Sequence, residues 1–337
     1  MKRFECACGH RVFFENTKCF GCGRFLGFVP ETLTMSRLEP VGAGLFETST
    51  GRRVKRCRNA TDHGNCNWVL PVDDPSDLCR SCGANRTIPD LTIADNLLLW
   101  TKVEQAKRRL LYTLLDLGLL TSSGGRGDWP TFEFLEDRRR NPNVAEDFVA
   151  TGHLGGVITL NLSEADDVAR EAQREEFVER YRTVLGHLRH EAGHFVFPRL
   201  TSGPDDLGAV RRLFGDERQE YGAALSRHYQ SGPPTNWAER HISPYASVHP
   251  REDFAETFAH YLLIVDALET AGASGLGSIG AGLPWIRRWI EIAIALNELS
   301  RSLGSGDAYP FTLTPPVIEK LELVARLVSG FSRPPAP

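Results

Sequence analysis

The sequence predicts an α+β fold: two small cysteine-bound ribbons at the N-terminus, then a mainly helical domain carrying a small sheet. Three observations predict it. All eight cysteines fall within the first 82 residues of a 337-residue chain. The stretch after them, Ala94 to Leu119, repeats apolar residues at helical spacing. Beyond it the helical period dominates, interrupted by short aromatic and β-branched runs.

Composition narrows the function classes. The chain is 41% hydrophobic and 24% charged with a formal net charge of -4. Those values exclude disorder, collagen-like repeats and coiled coil as whole-chain descriptions. The acidic balance argues against a protein that coats nucleic acid. The opening MKRFECACGH lacks an apolar stretch of signal-peptide length, and no run reaches the roughly 20 apolar residues of a membrane span. The expectation is a soluble, cytoplasmic protein with no membrane partner.

The cysteines form two sets: Cys6, Cys8, Cys19 and Cys22, then Cys57, Cys66, Cys79 and Cys82. In a reducing compartment such spacing favours metal over a disulfide framework. Short Cys-x-x-Cys turns let two thiolates converge on one tetrahedral ion, and Gly9, Gly23 and Gly83 follow directly where the backbone must fold back. The reading is two structural Zn2+ sites of four thiolates each, with disulfides or an iron–sulfur centre as alternatives. His10 and His63 read as surface residues, since each set already has four ligands. The ribbons serve as metal-stapled structure or as a protein-docking surface. The basic cluster Arg52, Arg53, Lys55, Arg56 and Arg58 raises nucleic-acid binding as a weaker third option, because charge runs are usually solvated faces.

In chain order, residues 87–93 form a connector. The helix over 94–119 has Leu97, Leu98, Trp100, Val103, Ala106, Leu110, Leu111, Leu114 and Leu117 in period, and its opposite face carries Lys102, Glu104, Lys107 and Arg108. A flexible loop, 121–128, ends it. Residues 132–136 and 156–162 read as strands, and 163–167 as a cap for the next helix. Helical periodicity runs from Tyr181 to Phe197, with Pro198 at its end. Further helices are expected over 205–214, 216–230, 251–271, 284–303 and 315–329, with a glycine-rich loop over 272–282. The domains are then 1–88, the tandem ribbons, and 89–330, the helical domain, with 331–337 a disordered tail.

The chemistry sits in His190-Glu191-Ala192-Gly193-His194. A spacing of four puts both imidazoles on one helical face, able to reach a single Zn2+, with Glu191 beside them to take a proton from water. His187, one turn earlier, reads as a supporting or core residue. A catalytic zinc needs a third protein ligand and one open position. Glu252 and Glu256 share a helical face further along, among Phe254, Phe258 and Leu262. Asp253 lies about 100° around that helix and faces elsewhere. His249 and His260 are alternative ligands.

The pattern Tyr245-x6-Glu252-x-Phe-Ala-Glu256-x-Phe behind an H-E-x-x-H helix resembles the gluzincin-type active site of the anthrax lethal factor catalytic domain. More of the chain is similar to a bacterial family of zinc-binding metallopeptidases with an N-terminal zinc ribbon. The similarity rests on the cysteine sets, Pro89-Asp-Leu-Thr-Ile-Ala-Asp-Asn, Gly156-Val-Ile-Thr-Leu-Asn, the H-E-x-x-H motif and His249-Pro-x-Glu-Asp-Phe-Ala-Glu-Thr. The resemblance implies a zincin-like domain with His190, His194 and Glu252 on one catalytic Zn2+. It implies Glu191 as general base, Tyr245 as oxyanion donor, Glu256 supporting a histidine ligand, and a peptide or protein as substrate. It also implies that strand 156–162 is an edge strand able to pair with extended substrate. The separation between His194 and Glu252 is long for this pattern, with two helices and a Gly232-Pro-Pro loop between them. The rival reading is a zinc-ribbon adaptor or nucleic-acid-binding protein with an inactive protease-like domain, against which the intact Glu191 and Tyr245 count.

Overall fold

The computed structural model describes residues 2–123, 125–176 and 183–331. The chain divides into two compact units, Lys2–Glu171 and Ala172–Pro337.

The first unit opens with a two-stranded antiparallel pair, β1 (Phe4–Glu5) and β2 (Arg11–Val12). A five-stranded antiparallel meander follows: β3 (Phe25–Val29), β4 (Thr34–Gly42), β5 (Leu45–Thr48), β6 (Arg53–Arg56) and, after helix α1 (Arg58–Asp62), β7 (Val69–Pro71). Its core is small: Val29, Leu38, Val54 and Val69. An aromatic cluster of Phe4, Phe14, Phe28, Trp68 and Tyr112 packs with ring centroids 4.9–6.4 Å apart. Three members of the basic cluster are engaged locally. Arg52 pairs with Glu31 at 3.0 Å, Lys55 donates to the Asp74 carbonyl at 2.6 Å, and the Arg56 guanidinium stacks 4.3 Å from the Phe25 ring centroid.

Helices α2 (Arg80–Gly83) and α3 (Asn96–Asp116) complete the frame, with a four-stranded sheet of order β10 (Gly152–Leu154), β11 (Val157–Asn161), β9 (Thr131–Leu135), β8 (Asn85–Thr87). Strands β11, β9 and β8 run parallel, and β10 is antiparallel to β11. The expected edge strand is therefore not an edge. The chain reverses at Gly155 and Gly156, both at positive φ, and lays β10 along β11, so the open edges belong to β10 and β8. The polar face of α3 also departs from expectation. Glu104, Lys107 and Arg108 are buried, because that face packs on α2 and β8 instead of meeting water. Lys107 Nζ donates to Glu104 at 2.7 Å and to the Ser81 carbonyl at 2.9 Å, and Arg108 reaches Glu104 at 3.3 Å. Asp166, whose carboxylate accepts from the amides of Val168 and Ala169, caps α4 (Asp167–Glu176).

The second unit is helical: α5 (Val184–Leu200), α6 (Pro204–Phe214), α7 (Tyr221–Ser231), α8 (Pro250–Ala273), α9 (Trp285–Ser302) and α10 (Pro315–Phe331). Thr183 caps α5, its hydroxyl accepting from the Gly186 amide at 2.9 Å. The expected start at Tyr181 and the tail after Phe331 lie outside the described residues. Pro198 does not end α5; the helix continues to Leu200. Proline there withholds one hydrogen bond from the preceding turn, and near a C-terminus that loss is small enough for packing to override. Helix α7 starts at Tyr221 instead of near 216, because the Glu220 carboxylate accepts from the Gly222 amide at 3.0 Å and fixes the start there.

The core of this unit forms where α5 crosses α8. Leu188 and Val196 of α5 and Phe254, Phe258 and Leu262 of α8 are all fully or nearly fully buried, and the Phe197 ring stands edge-on to Phe254 at 5.0 Å. Gly193 sets the approach. A Cβ on it would lie 2.8 Å from Ala255 Cα, so only glycine allows the two backbones to come this close. Helix α10 is tied to α8 by a buried ion pair, Lys320 Nζ to Asp253 at 2.6 Å, with His241 3.2 Å from the same carboxylate.

Candidate metal centre

The close crossing of α5 and α8 brings the H-E-x-x-H face onto the first turn of α8. His190, His194 and Glu252 offer donor atoms that all lie within 4.8 Å of one another. Glu252 Oε2 is 3.0 Å from His190 Nε2 and 3.4 Å from His194 Nε2, and the two imidazole nitrogens are 3.2 Å apart. Ligand bonds of about 2.0–2.1 Å in tetrahedral geometry put neighbouring donors roughly 3.3 Å apart, so these separations are those of a zinc site. The ionisable groups of the cluster are strongly coupled. Burial alone would lower the His190 pKa, yet the carboxylates of Glu252 and Glu256 hold it well above the ordinary histidine value. Burial would raise that of Glu252, yet His190 and His194 hold it well below the carboxylate range.

Around the donors, each candidate has a partner. His190 Nδ1 is 2.6 Å from Glu256 Oε1, and the other carboxylate oxygen accepts from Ser243 Oγ at 2.5 Å. With Nδ1–H committed to Glu256, the His190 Nε2 lone pair faces the centre. Ser243 also accepts from the Ala246 amide at 3.1 Å, which fixes the short 3-10 turn carrying Tyr245. That turn stands the Tyr245 ring 5.9 Å from His190, centroid to centroid. Glu191 is buried at 7% exposure, and burial raises its pKa against the pull of His190 and His194. A carboxylate with raised proton affinity beside the donor cluster is poised to accept a proton.

The alternative ligands are engaged elsewhere. His249 caps α8, Nδ1 accepting from the Arg251 amide at 3.1 Å, so Nε2 carries the hydrogen and donates to the Gln219 carbonyl at 3.1 Å. His260 is bonded through Nδ1 to the Tyr309 hydroxyl at 2.9 Å. Asp253 is held by Lys320. Two participants had no signal in the spacing. One is Ser243, and the other is Tyr221 on α7, whose hydroxyl donates to Glu252 Oε1 at 3.0 Å.

The cysteine sets converge as the spacing requires, and all eight cysteines are unpaired. Sulfur separations are 3.8 Å for Cys6–Cys22, 3.7 Å for Cys8–Cys19 and 3.6 Å for Cys66–Cys79. Those are near the roughly 3.8 Å edge of a tetrahedron with 2.3 Å zinc–sulfur bonds and far from a disulfide bond. Gly9 and Gly23 take positive φ as expected, whereas Gly83 closes α2. In the second set, the Cys79 amide donates to Cys57 sulfur and the Cys82 amide to Cys79 sulfur.

A family described as "Putative zinc-binding metallo-peptidase" matches residues 96–327, more than half of the chain, and a zinc-ribbon domain matches residues 3–93. Proteins of Mycobacterium bovis and Mycobacterium tuberculosis, each described as uncharacterized, are 39% identical over 345 residues, covering 97% of this chain and 95% of theirs. No solved structure matches.

Proposed function

This chain belongs to the zinc-binding metallopeptidase family whose model it matches, and we propose that it hydrolyses peptide bonds through a gluzincin-type centre in residues 89–330. One observation carries the reading: three donors at zinc-ligand separations with a buried carboxylate, Glu191, beside them. His190, His194 and Glu252 would hold the catalytic ion, and the two cysteine sets would hold structural ions, three in all. When bound, the catalytic zinc supplies Lewis acidity at one open position, acidifying water and polarising a carbonyl. Glu191 takes the proton of the attacking water and delivers it to the leaving amine. Tyr245 donates to the developing oxyanion. Glu256, fixed by Ser243, accepts the Nδ1 hydrogen of His190 and keeps that ring aimed. Peptide or protein is the substrate, residues 1–88 serve as a stapled module able to dock a protein, and unpaired metal-spaced cysteines suit a reducing compartment such as the cytoplasm.

The test separates binding from chemistry. Glu191→Gln is isosteric, so the protein should keep its fold and its full zinc content. It should also lose cleavage of a denatured protein that wild type cuts and that chelation protects. Wild-type turnover in the variant would remove Glu191 as base. A wild type that holds zinc and cuts nothing would favour the adaptor reading.

A further inference from the structure

The insertion between His194 and Glu252 delivers a side chain to the centre. Glu252 uses its two oxygens differently: Oε2 faces both imidazoles, at 3.0 and 3.4 Å, while Oε1 accepts the Tyr221 hydroxyl at 3.0 Å. A carboxylate free at both oxygens can chelate an ion with the pair and fill the position that water needs. We propose that Tyr221 is a positioning residue that confines Glu252 to one metal-facing oxygen and so keeps the fourth position open. The inference rests on the zinc-centre reading above.

Three further observations fix the phenol in this role. Tyr221 is the first residue of α7, and Glu220 caps that helix through the Gly222 and Ala223 amides. The His249 ring lies edge-on to Tyr221 at 5.3 Å between centroids, and His249 Nε2–H holds the Gln219 carbonyl just upstream. His249 is itself the cap of α8, the helix that carries Glu252. One imidazole therefore ties the start of α7 to the start of α8.

Tyr221→Phe keeps the ring on His249 and deletes only the donor, so it tests the assignment in the full-length protein. Zinc content and chelator competition are measured first on wild type, then on the variant. Expected is an unchanged fold, an ion at the histidine/glutamate site that is not weakened because the freed oxygen adds a bond to it, and a 10- to 100-fold loss of turnover, the size typical for a partner of a metal ligand. The second readout does not depend on activity. Cobalt is placed in that site while the thiolate sites keep zinc, and its visible absorption should weaken in the variant as a second carboxylate oxygen raises the coordination number. Turnover, if measured, should lose kcat with KM little changed. An unchanged cobalt spectrum overturns the role of Tyr221 and leaves the zinc reading standing. A wild type that binds no ion outside the cysteine sets overturns the zinc reading, and this inference with it.

Discussion

His260 is one turn from Glu256 on α8, yet its environment makes it a neutral core residue. Its ring lies edge-on to Phe311 at 4.4 Å and its Nδ1 meets the Tyr309 hydroxyl. Burial pushes it down to about 4, and the Glu256 carboxylate opposes this only in part. The folded state thus resists the proton that the unfolded chain accepts near pH 6.5. Stability from this group is whole above pH 6.5 and is lost as pH falls toward 4, amounting to about 2 kcal/mol at pH 5. Urea unfolding at pH 7 and pH 5 checks it, because His260→Asn should lose about that much less than wild type on acidification. Equal losses would refute the assignment. At this scale the sequence was legible where chemistry is local. His190, Glu191 and His194 share one helical turn, so spacing alone names them. Tyr221 is 31 residues from the carboxylate it touches, and no local pattern marks a partner that only the packing of α7 supplies.

At the scale of elements, one glycine decides whether the metal donors meet. The α5–α8 crossing leaves no room for a side chain at position 193, where the nearest neighbours are Ala255 Cα at 2.8 Å and its carbonyl at 3.1 Å. Both are backbone and cannot rotate away. Gly193→Ala gains helix propensity worth about 0.8–1.0 kcal/mol, but overpacking costs about 1–3 kcal/mol. The balance should be a less stable protein whose helices stand apart, with weaker zinc at the histidine/glutamate site. Thermal unfolding and chelator competition measure the two effects, and a variant matching wild type in both would show that the crossing has slack. The apolar period located α5, α6, α8, α9 and α10 to within a few residues, since each buries a continuous stripe. The β3–β7 meander was not legible strand by strand. Its longest strand, β4, reads exposed, buried, buried, half-buried, buried, half-buried and then exposed to its end, which is no clean alternation. The burial of Glu104, Lys107 and Arg108 was equally hidden, because charge pattern on α3 cannot reveal that a cysteine site packs against it.

For the whole molecule, the cysteine-bound ribbons and the second unit rest on different forces, so metal removal should divide them. The second unit has a conventional apolar core around Phe254, Phe258, Leu262, Val317, Leu321 and Val324. Within the first unit α3 and β9 bury an apolar set of their own, including Leu110, Leu111, Phe132 and Phe134, whereas the ribbons have a small core, Val29, Leu38, Val54 and Val69, and depend on their ions. Their two sites also differ. Cys8 and Cys22 lie at the surface, whereas Cys57, Cys66, Cys79 and Cys82 are all buried. A zinc ion with four thiolates is a net dianion, costly to bury without counter-charge. Arg108 supplies part of it: burial works against its charge, but Cys66, Glu104, Cys82 and Cys79 hold the guanidinium protonated. Chelator titration should therefore release zinc in three steps. The histidine/glutamate ion leaves first, because its coordination is open; the Cys6/Cys8/Cys19/Cys22 ion follows; the buried ion leaves last. Hydrogen exchange across α5, α8 and α10 should stay protected throughout, while protection over β3–β7 collapses with the last steps. If the helical unit lost protection together with the thiolate-bound zinc, its apolar core would not be sufficient by itself. If both cysteine sites emptied together, burial and the Arg108 counter-charge would not be what retains the inner ion.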